Sequence, residues 1–390
     1  MTNSNSAQEP TVRRRDFLRG SLGLGAAAAL AGCGFSGDTP APAASTSPSG
    51  SAAPSESPAA KAVIDGDLVY FNWAEYIEPT VLEGFKKEYG VKVIETNYDT
   101  YPGMLAKMSS GNQYDVVLPG ARFVEQLRNQ NMIQRIDKAQ LKNANQSFGW
   151  GSYFDNPWYD PNSDYSIPFS MYTTGIAYRK DKITTMTGSW ADLWNEEGKG
   201  HIYVLDEADE AMGMAALLLG LDVNTANPDD LAKIKDKLIS QKPYLRAYST
   251  DDINNLAGGN AWIHQEWSGD FLNFINYTAE DPKIWEYIAP KEGMPVNSDA
   301  WVIPANAPHP GTALVFLDYL LRPENIIKNI EYLGYPLLAQ GGEATYAKMV
   351  EGRPSLAIDL KNIDDTKVYR NHTPADTAAR DTVWTEVKAS

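Results

Sequence analysis

Strand and helix signals alternate along the chain from Leu68 onwards, and this alternation limits the fold more than any other feature of the sequence. Short apolar runs that end in polar residues or in Pro-Gly predict strands, and the amphipathic stretches between them predict helices. The first block reads strand, helix, strand, helix, strand over residues 68–73, 78–89, 91–95, 101–108 and 114–118. This order predicts a parallel sheet covered by helices, with ligands beyond the carboxyl ends of the strands.

A second block of strands and helices follows a long predicted strand over residues 165–179. It contains predicted strands near 201–205 and 261–263 and a predicted helix at 229–240, and an extended segment at 300–304 then leads into a helix at 311–321. The globular part, roughly 325 residues, exceeds the size at which a single core usually keeps growing. Two blocks joined by extended crossovers therefore predict a hinged α/β protein with two lobes.

The N-terminus has the form of an export signal. Arg14 and Arg15 lie in a twin-arginine pattern, and the apolar segment 21–31 is far shorter than the roughly 20 apolar residues that span a bilayer. Leu30-Ala31-Gly32-Cys33 resembles a bacterial lipobox, and Cys33 is the only cysteine of the chain. We expect residues 1–32 to be a signal peptide and Cys33 to be lipidated; the alternative is a chance cysteine in a low-complexity leader.

A tether and a strongly acidic globular part are expected after the signal. Residues 33–65 are rich in Ser, Pro and Ala and offer little apolar surface to bury. The leader holds four arginines and two acids, so the mature chain has 30 basic and 48 acidic residues, a net charge of -18. Such a charge disfavours nucleic acid as a partner and attracts small cations, although it is equally explained by solubility.

Motifs for catalysis, metal binding or cofactor binding are not found in the sequence. The four histidines, at 201, 264, 309 and 372, lack the spacing of metal ligands, and no nucleophile elbow, P-loop or dinucleotide-binding motif occurs in the mature chain. We therefore expect no enzyme, no cofactor and no metal. A catalytic group assembled from distant segments stays open.

Acidic and aromatic residues near predicted strand ends are the candidates for a binding site. Glu207 and Glu210 are three residues apart at a predicted helix start and share one helical face, so they could receive an ammonium group. The alternative is that they complement the helix dipole. Aromatic residues at strand ends or turns could pack on an amine by cation–π contact, or could belong to the core: Trp73, Tyr76, Trp267 and Tyr335.

Several separate blocks resemble the periplasmic spermidine/putrescine-binding protein family, the receptors of ABC-type polyamine importers. The similarity extends from Val69 to about Lys388, and the blocks are 70–76, 111–119, 132–137, 164–168, 189–194, 303–307 and 334–336. The resemblance implies a periplasmic-binding-protein fold of type II that is hinged and binds its ligand in the cleft between the lobes. It also implies a polyamine ligand, enclosed by aromatic walls and gripped by acids.

Matching the family motifs residue by residue gives a candidate site. The resemblance assigns Trp73 and Tyr76 to one wall, Trp267 to the second lobe and Tyr335 to a Gly-Tyr-Pro turn. It assigns the acidic pair to Glu207 and Glu210, and the aspartate that grips one end of the ligand to Asp299.

Three positions depart from the family pattern. Arg122 lies in the loop where the family usually has an aromatic residue, Asn297 stands in place of a tryptophan, and Arg370 aligns with a ligand-facing glutamine. Each added guanidinium would repel a cation unless it pairs with a local acid or with a carboxylate of the ligand. The two interpretations stay open.

These observations together predict a lipid-anchored solute-binding protein outside the cell membrane. Lobe 1 is expected at 66–171 plus 299–343 and lobe 2 at 172–298 plus 344–390. The expected ligand is spermidine or putrescine, delivered to the permease subunits of an ABC importer. The alternatives are a zwitterionic or modified amine such as an ω-amino acid, and, from other classes, an enzyme without an obvious signature or a structural lipoprotein.

Overall fold

The predicted alternation of strands and helices is present in the computed structural model, which describes residues 60–144 and 156–390. The predicted signal peptide, Cys33 and almost all of the tether lie outside the described residues. The strands are β1 Leu68–Asn72, β2 Val93–Asn97, β3 Val116–Val117, β4 Ser166–Arg179, β5 Ile202–Val204, β6 Leu245–Tyr248, β7 Ile263–Trp267, β8 Trp285–Ile288 and β9 Val296–Val302.

The helices connect and cover these strands. They are α1 Pro79–Tyr89, α2 Tyr101–Ser109, α3 Arg122–Asn129, α4 Ala208–Leu218, α5 Pro228–Gln241, α6 Asp252–Ala257, α7 Ser268–Asn273, α8 Pro310–Leu320, α9 Pro323–Leu333, α10 Glu343–Met349 and α11 Pro374–Ala389. The predicted limits of the first helix are confirmed, because Glu78 caps the N-terminus of α1 and Gly90 ends it with a φ of 69°.

The sheet consists of two parallel parts that are joined by antiparallel strands. Its strand order is β2-β1-β3-β9-β4-β7-β5-β6, and β8 pairs with β4. β1 is parallel to β2 and β3, and β5 is parallel to β6 and β7. The parallel sheet predicted for the first block is thus confirmed.

The long strand β4 belongs to both parts of the sheet. Its first half pairs with β9, and its second half pairs with β7 and β8. β9 continues the connection to the first part, since Val302 pairs with Val117 of β3. Hinges are formed by a few residues in loops or at the ends of elements, and the segments that connect the two parts of the sheet are where such residues are expected. The described residues form one compact unit, so the lobe boundaries stay a prediction.

Buried aromatic and aliphatic side chains fill both parts of the fold. One core cluster lies under β1 and β3 and includes Phe71, Tyr98 and Val117, whereas another surrounds β5 and α4 and includes Trp190 and Met212. In the described part of the chain, no helix is long and apolar enough to cross a membrane. Nor do the described residues contain a cluster of three or more His, Cys, Asp or Glu that could hold a metal ion.

Candidate functional site

Asp299 lies at the centre of the candidate site because of the register between β4 and β9. Its direct neighbour across the sheet is Ser170, whose hydroxyl donates to Asp299 Oδ2 at 3.0 Å. The hydroxyl of Tyr76 donates to the same oxygen at 3.0 Å, and the hydroxyl of Tyr101 donates to Oδ1 at 3.2 Å. The carboxylate, 1% exposed, is therefore surrounded by hydroxyl groups within the described structure.

The surroundings of Asp299 disfavour its charge. Burial raises the pKa of Asp299 to about 7, although the hydrogen bonds from Tyr76, Ser170 and Tyr101 oppose the shift. Hydroxyl donors offset part of the desolvation of a carboxylate but supply no positive charge. A cation placed beside Asp299 would lower this pKa again, so the site is suited to bind one.

Aromatic rings extend from Asp299 on two sides. The ring of Trp73, which follows β1, packs on Tyr98 and Tyr101 with centroid distances of 4.5 and 5.0 Å. On the other side the ring of Tyr335 lies 5.9 Å from Tyr76 and 5.6 Å from Tyr172. Aromatic faces of this kind can enclose the methylene groups of an alkyl amine and attract its ammonium groups.

Tyr335 is held in place by a turn and by a glycine of α7. Gly334 ends α9 in the left-handed region with a φ of 78°, which turns the chain so that Tyr335 is buried. A Cβ on Gly269 would lie 2.2 Å from Cδ1 of the Tyr335 ring. Since contacts that short do not occur, a side chain at Gly269 would displace the ring.

Glu210 and Trp267 meet because β5 and β7 are parallel, which brings their carboxyl ends to the same edge of the sheet. Trp267, the last residue of β7, donates its indole N–H to Glu210 Oε1 at 3.2 Å, and the Tyr369 hydroxyl donates to Oε2 at 3.3 Å. Burial raises the pKa of Glu210, against hydrogen bonds from Thr174 and Trp267.

Glu207 is the N-cap residue of α4, and its side chain makes no capping hydrogen bond. Burial raises the pKa of Glu207 to about 8, and the Arg122 guanidinium opposes that shift. For Glu207 as for Glu210, burial thus disfavours the ionised form.

Asp209 differs from the two glutamates that flank it, because it carries ion pairs to arginines of the chain. Nη1 of Arg122 lies 2.5 Å from Asp209 Oδ2, and Nη2 of Arg380 donates to Oδ1 at 2.9 Å. Nε2 of His372 lies 3.9 Å from the same oxygen. Although burial opposes it, the guanidiniums of Arg122 and Arg380 hold the pKa of Asp209 well below its usual range.

Arg122 and Arg370 both pair with acids of the chain, but only Arg122 lies among the other candidates. Arg122 is 6% exposed and lies over the rings of Tyr101 and Tyr369, whereas Arg370 pairs with Asp365 at 2.6 Å and lies over Trp158. The structure therefore brings together eight of the predicted residues and leaves out Arg370. These eight are Trp73, Tyr76, Arg122, Glu207, Glu210, Trp267, Asp299 and Tyr335.

Several residues of the site were not found from the sequence. Ser170 and Tyr172 alternate on β4, and an alternating pattern of polar residues in a strand could have indicated one shared face. No pattern in the sequence marks Tyr101, in the first turn of α2, as a residue of the site. Asp209 lies between the two predicted glutamates, and only the fold reveals that it faces two arginines.

The sequence and the fold match a family of known binding proteins. A model of the bacterial extracellular solute-binding proteins matches residues 80–340. The chain is 34% identical over 304 residues to the spermidine/putrescine-binding periplasmic protein of Salmonella typhimurium. The aligned residues are 77% of this chain and 85% of the relative. For the protein of that name from Escherichia coli, the identity is 35% over 286 residues, covering 71% of this chain and 79% of the relative.

A solved structure supports the same assignment. The fold is similar to that of a Listeria monocytogenes protein described as a spermidine/putrescine ABC transporter, with a TM-score of 0.75, 27% identity and coverage of 83% of this chain and 99% of that one. The architecture is thus the two-lobe fold of periplasmic solute-binding proteins, type II. The chain belongs to the bacterial extracellular solute-binding proteins and, among them, to the family of spermidine/putrescine-binding periplasmic proteins.

Proposed function

We propose that this protein captures a polyamine, spermidine or putrescine, outside the cytoplasmic membrane and delivers it to the permease subunits of an ABC importer. The observation that carries the proposal is Asp299, a buried carboxylate that accepts hydrogen bonds from tyrosine hydroxyls and forms no ion pair among the described residues. Burial raises its pKa, and the charge of Arg122 offsets only part of that shift. An ammonium group of the ligand would supply the missing charge through a charge-assisted hydrogen bond. The relatives named for the same ligands agree with this chemistry.

The rest of the site suits the remainder of a polyamine. The rings of Trp73, Tyr76 and Tyr335 can cover the alkyl chain, and a cation over such a ring gains roughly 0.5–2 kcal/mol. Glu210, with Trp267 as its hydrogen-bond donor, offers a second carboxyl group for a second ammonium. The role is therefore binding and delivery, with no chemical step on the ligand.

Cys33 is proposed to anchor the protein to the outer face of the membrane by covalently attached lipid. Each buried methylene of an acyl chain contributes about 0.8 kcal/mol of membrane affinity. Cys33→Ala is expected to move the protein from the membrane fraction to the soluble fraction. A variant that still sediments with membranes would rule out this anchor.

An ω-amino acid is the second candidate ligand, and Arg122 is the observation that favours it. Its Nε is buried and has no hydrogen-bond partner among the described residues. A carboxylate of the ligand could accept from that nitrogen while Asp299 binds the amine.

A thermal-shift screen of the mature protein tests the proposal and separates the two ligands. A ligand present at 100 times its Kd adds about 2.7 kcal/mol to the free energy of unfolding. Putrescine or spermidine is expected to raise the melting temperature, and γ-aminobutyrate is expected to leave it unchanged. If γ-aminobutyrate alone raises the melting temperature, the ligand is a zwitterion and not a polyamine. If neither the polyamines nor γ-aminobutyrate raise it, the proposed function is wrong.

A further inference from the structure

Arg122 places a positive charge of the protein among carboxyl groups that could otherwise bind the ammonium groups of a ligand. We call Glu207, Asp209, Glu210 and Asp299 the acid cluster. The guanidinium forms an ion pair with Asp209, and its positive charge also acts on the other three carboxyl groups, against the upward shift that burial gives to the pKa of each. Arg380, the other arginine beside the cluster, forms an ion pair with Asp209.

The surroundings of the Arg122 guanidinium are those that suit an ammonium group of a ligand. Its Cζ lies 4.8 Å from the ring centroid of Phe123 and 5.6 Å from those of Tyr101 and Tyr369. Tyr101 donates to Asp299, and Tyr369 donates to Glu210, so both rings belong to residues that contact the acid cluster. The guanidinium thus occupies an aromatic position bordered by carboxylates.

The position of Arg122 changes the net charge that the acid cluster presents to a ligand. With every group ionised, the four acids carry -4, and Arg122 together with Arg380 reduces that to -2. Without Arg122 the sum would be -3. The difference of one charge does not depend on where the limit of the site is drawn, because Arg122 is buried and permanently protonated.

We propose that Arg122 is a built-in cation that occupies one ammonium position, so that the site prefers a diamine over a triamine. The inference rests on the proposed polyamine function and specifies it further. A dication such as putrescine complements the acid cluster with Arg122 present, whereas the third ammonium of spermidine would approach the guanidinium and be repelled. Arg122 is therefore a specificity-determining residue.

Calorimetric titration of the mature protein with putrescine and with spermidine tests this inference. The wild type is expected to bind putrescine at least about tenfold more tightly than spermidine, and Arg122→Gln is expected to shift the ratio of the two Kd values by about tenfold or more towards spermidine. Arg122→Lys keeps the charge and is expected to retain most of the preference.

Arg322→Gln is the matched control. Arg322 is also ion-paired, to Glu88 at 2.7 Å, and lies over a tyrosine, with Cζ 4.8 Å from the Tyr319 ring. It is the N-cap residue of α9, so the length of that helix, about 16 Å, separates it from the end that leads to Tyr335. The substitution removes the same charge from the protein. It is expected to leave the ratio of Kd values unchanged.

The possible results separate the inference from the function on which it rests. If both polyamines bind and Arg122→Gln leaves their ratio within about twofold, the inference is wrong and the polyamine function stands. A wild type that binds spermidine more tightly than putrescine also overturns the inference. This result comes from the wild type alone, so it does not depend on whether the variants fold. If neither polyamine binds, the proposed function itself fails; binding of γ-aminobutyrate that is lost in Arg122→Gln would then assign Arg122 to a ligand carboxylate.

Discussion

Asp209, which is partly buried, and Asp299, which is fully buried, are two aspartates of the candidate site, and their surroundings are opposite. Asp209 lies between the guanidiniums of Arg122 and Arg380, which hold its pKa well below the usual range against the effect of burial. Asp299 has hydroxyl donors from Ser170 and two tyrosines, and burial raises its pKa to about 7. Asp209 forms ion pairs with two arginines, whereas Asp299 forms none among the described residues, and the charge of Arg122 lowers its pKa without balancing the effect of burial.

We propose that this difference separates an acid that stabilises the fold, Asp209, from an acid that binds the ligand, Asp299. A buried carboxylate whose charge is balanced by the protein holds the fold together, and removal of it leaves its partners buried and unpaired. A buried carboxylate without such balance costs stability in the empty protein and recovers it when a cationic ligand arrives. The comparison predicts that equivalent substitutions of Asp209 and Asp299 affect different properties.

The largest effect is expected for Asp209→Asn, on stability. The variant leaves the Arg122 and Arg380 guanidiniums, 6% and 3% exposed, without their carboxylate. Breaking a buried ion pair costs about 3–5 kcal/mol of unfolding free energy, which chemical denaturation would measure. Asp365→Asn, which breaks the exposed pair with Arg370, is the control and should cost less than about 1 kcal/mol.

Asp299→Asn is expected to act on affinity. Loss of a charge-assisted contact to a partly desolvated ammonium costs about 1.5–3 kcal/mol, or about ten- to a hundredfold in the Kd for putrescine. The empty variant should be no less stable than the wild type, because the amide removes a carboxyl group that burial disfavours. Glu75→Gln, at an exposed residue, should weaken binding less; equal and small effects in calorimetry would remove Asp299 from the site.

A smaller effect is expected from pH. With a pKa of about 7, roughly a tenth of the Asp299 carboxyl groups are ionised at pH 6, so putrescine should bind about tenfold more weakly at pH 6 than at pH 8. Glu207, with a pKa of about 8, acts in the same direction. Calorimetry at the two pH values measures the change in the Kd for putrescine, and this change should be smaller in Asp299→Asn.

The empty protein should show the opposite dependence. The pKa of folded Asp299 lies above its ordinary value of 3.8, so the group stabilises the fold at low pH, and this stability is lost as the pH rises through about 7. The unfolding free energy of Asp299→Asn should therefore increase relative to the wild type between pH 5 and pH 8. If the difference in unfolding free energy between Asp299→Asn and the wild type stays constant from pH 5 to pH 8, the carboxyl group is already ionised at pH 5.

Local signals in the sequence were sufficient for much of the fold. The parallel first block, the strand ending at Arg179 and the helix closed by Gly90 all follow from patterns within a few residues, and the structure confirms them. The aromatic residues at strand ends were found in the same way. Trp73 and Trp267 lie at carboxyl ends of parallel strands, where such sheets bind ligands.

The electrostatic difference between the acids could not be predicted, because it depends on pairings across long stretches of chain. Ser170 meets Asp299 only through the register of β4 and β9, and Arg122 meets Asp209 only because two separate βα units pack together. Within the run 206–210 the sequence favoured Glu207 and Glu210, three residues apart. The acid between them is the one that receives the two arginines.

A carbon-13 NMR titration of the Asp299 carboxyl group, with its signal assigned by its loss in Asp299→Asn, tests the central claim most directly. Without ligand the midpoint should lie near pH 7, and saturating putrescine should lower it by about one unit or more, because an ammonium then stabilises the ionised form. A midpoint near the ordinary value in the empty protein, unmoved by putrescine, would contradict the claim that Asp299 is the acid whose cation comes from the ligand.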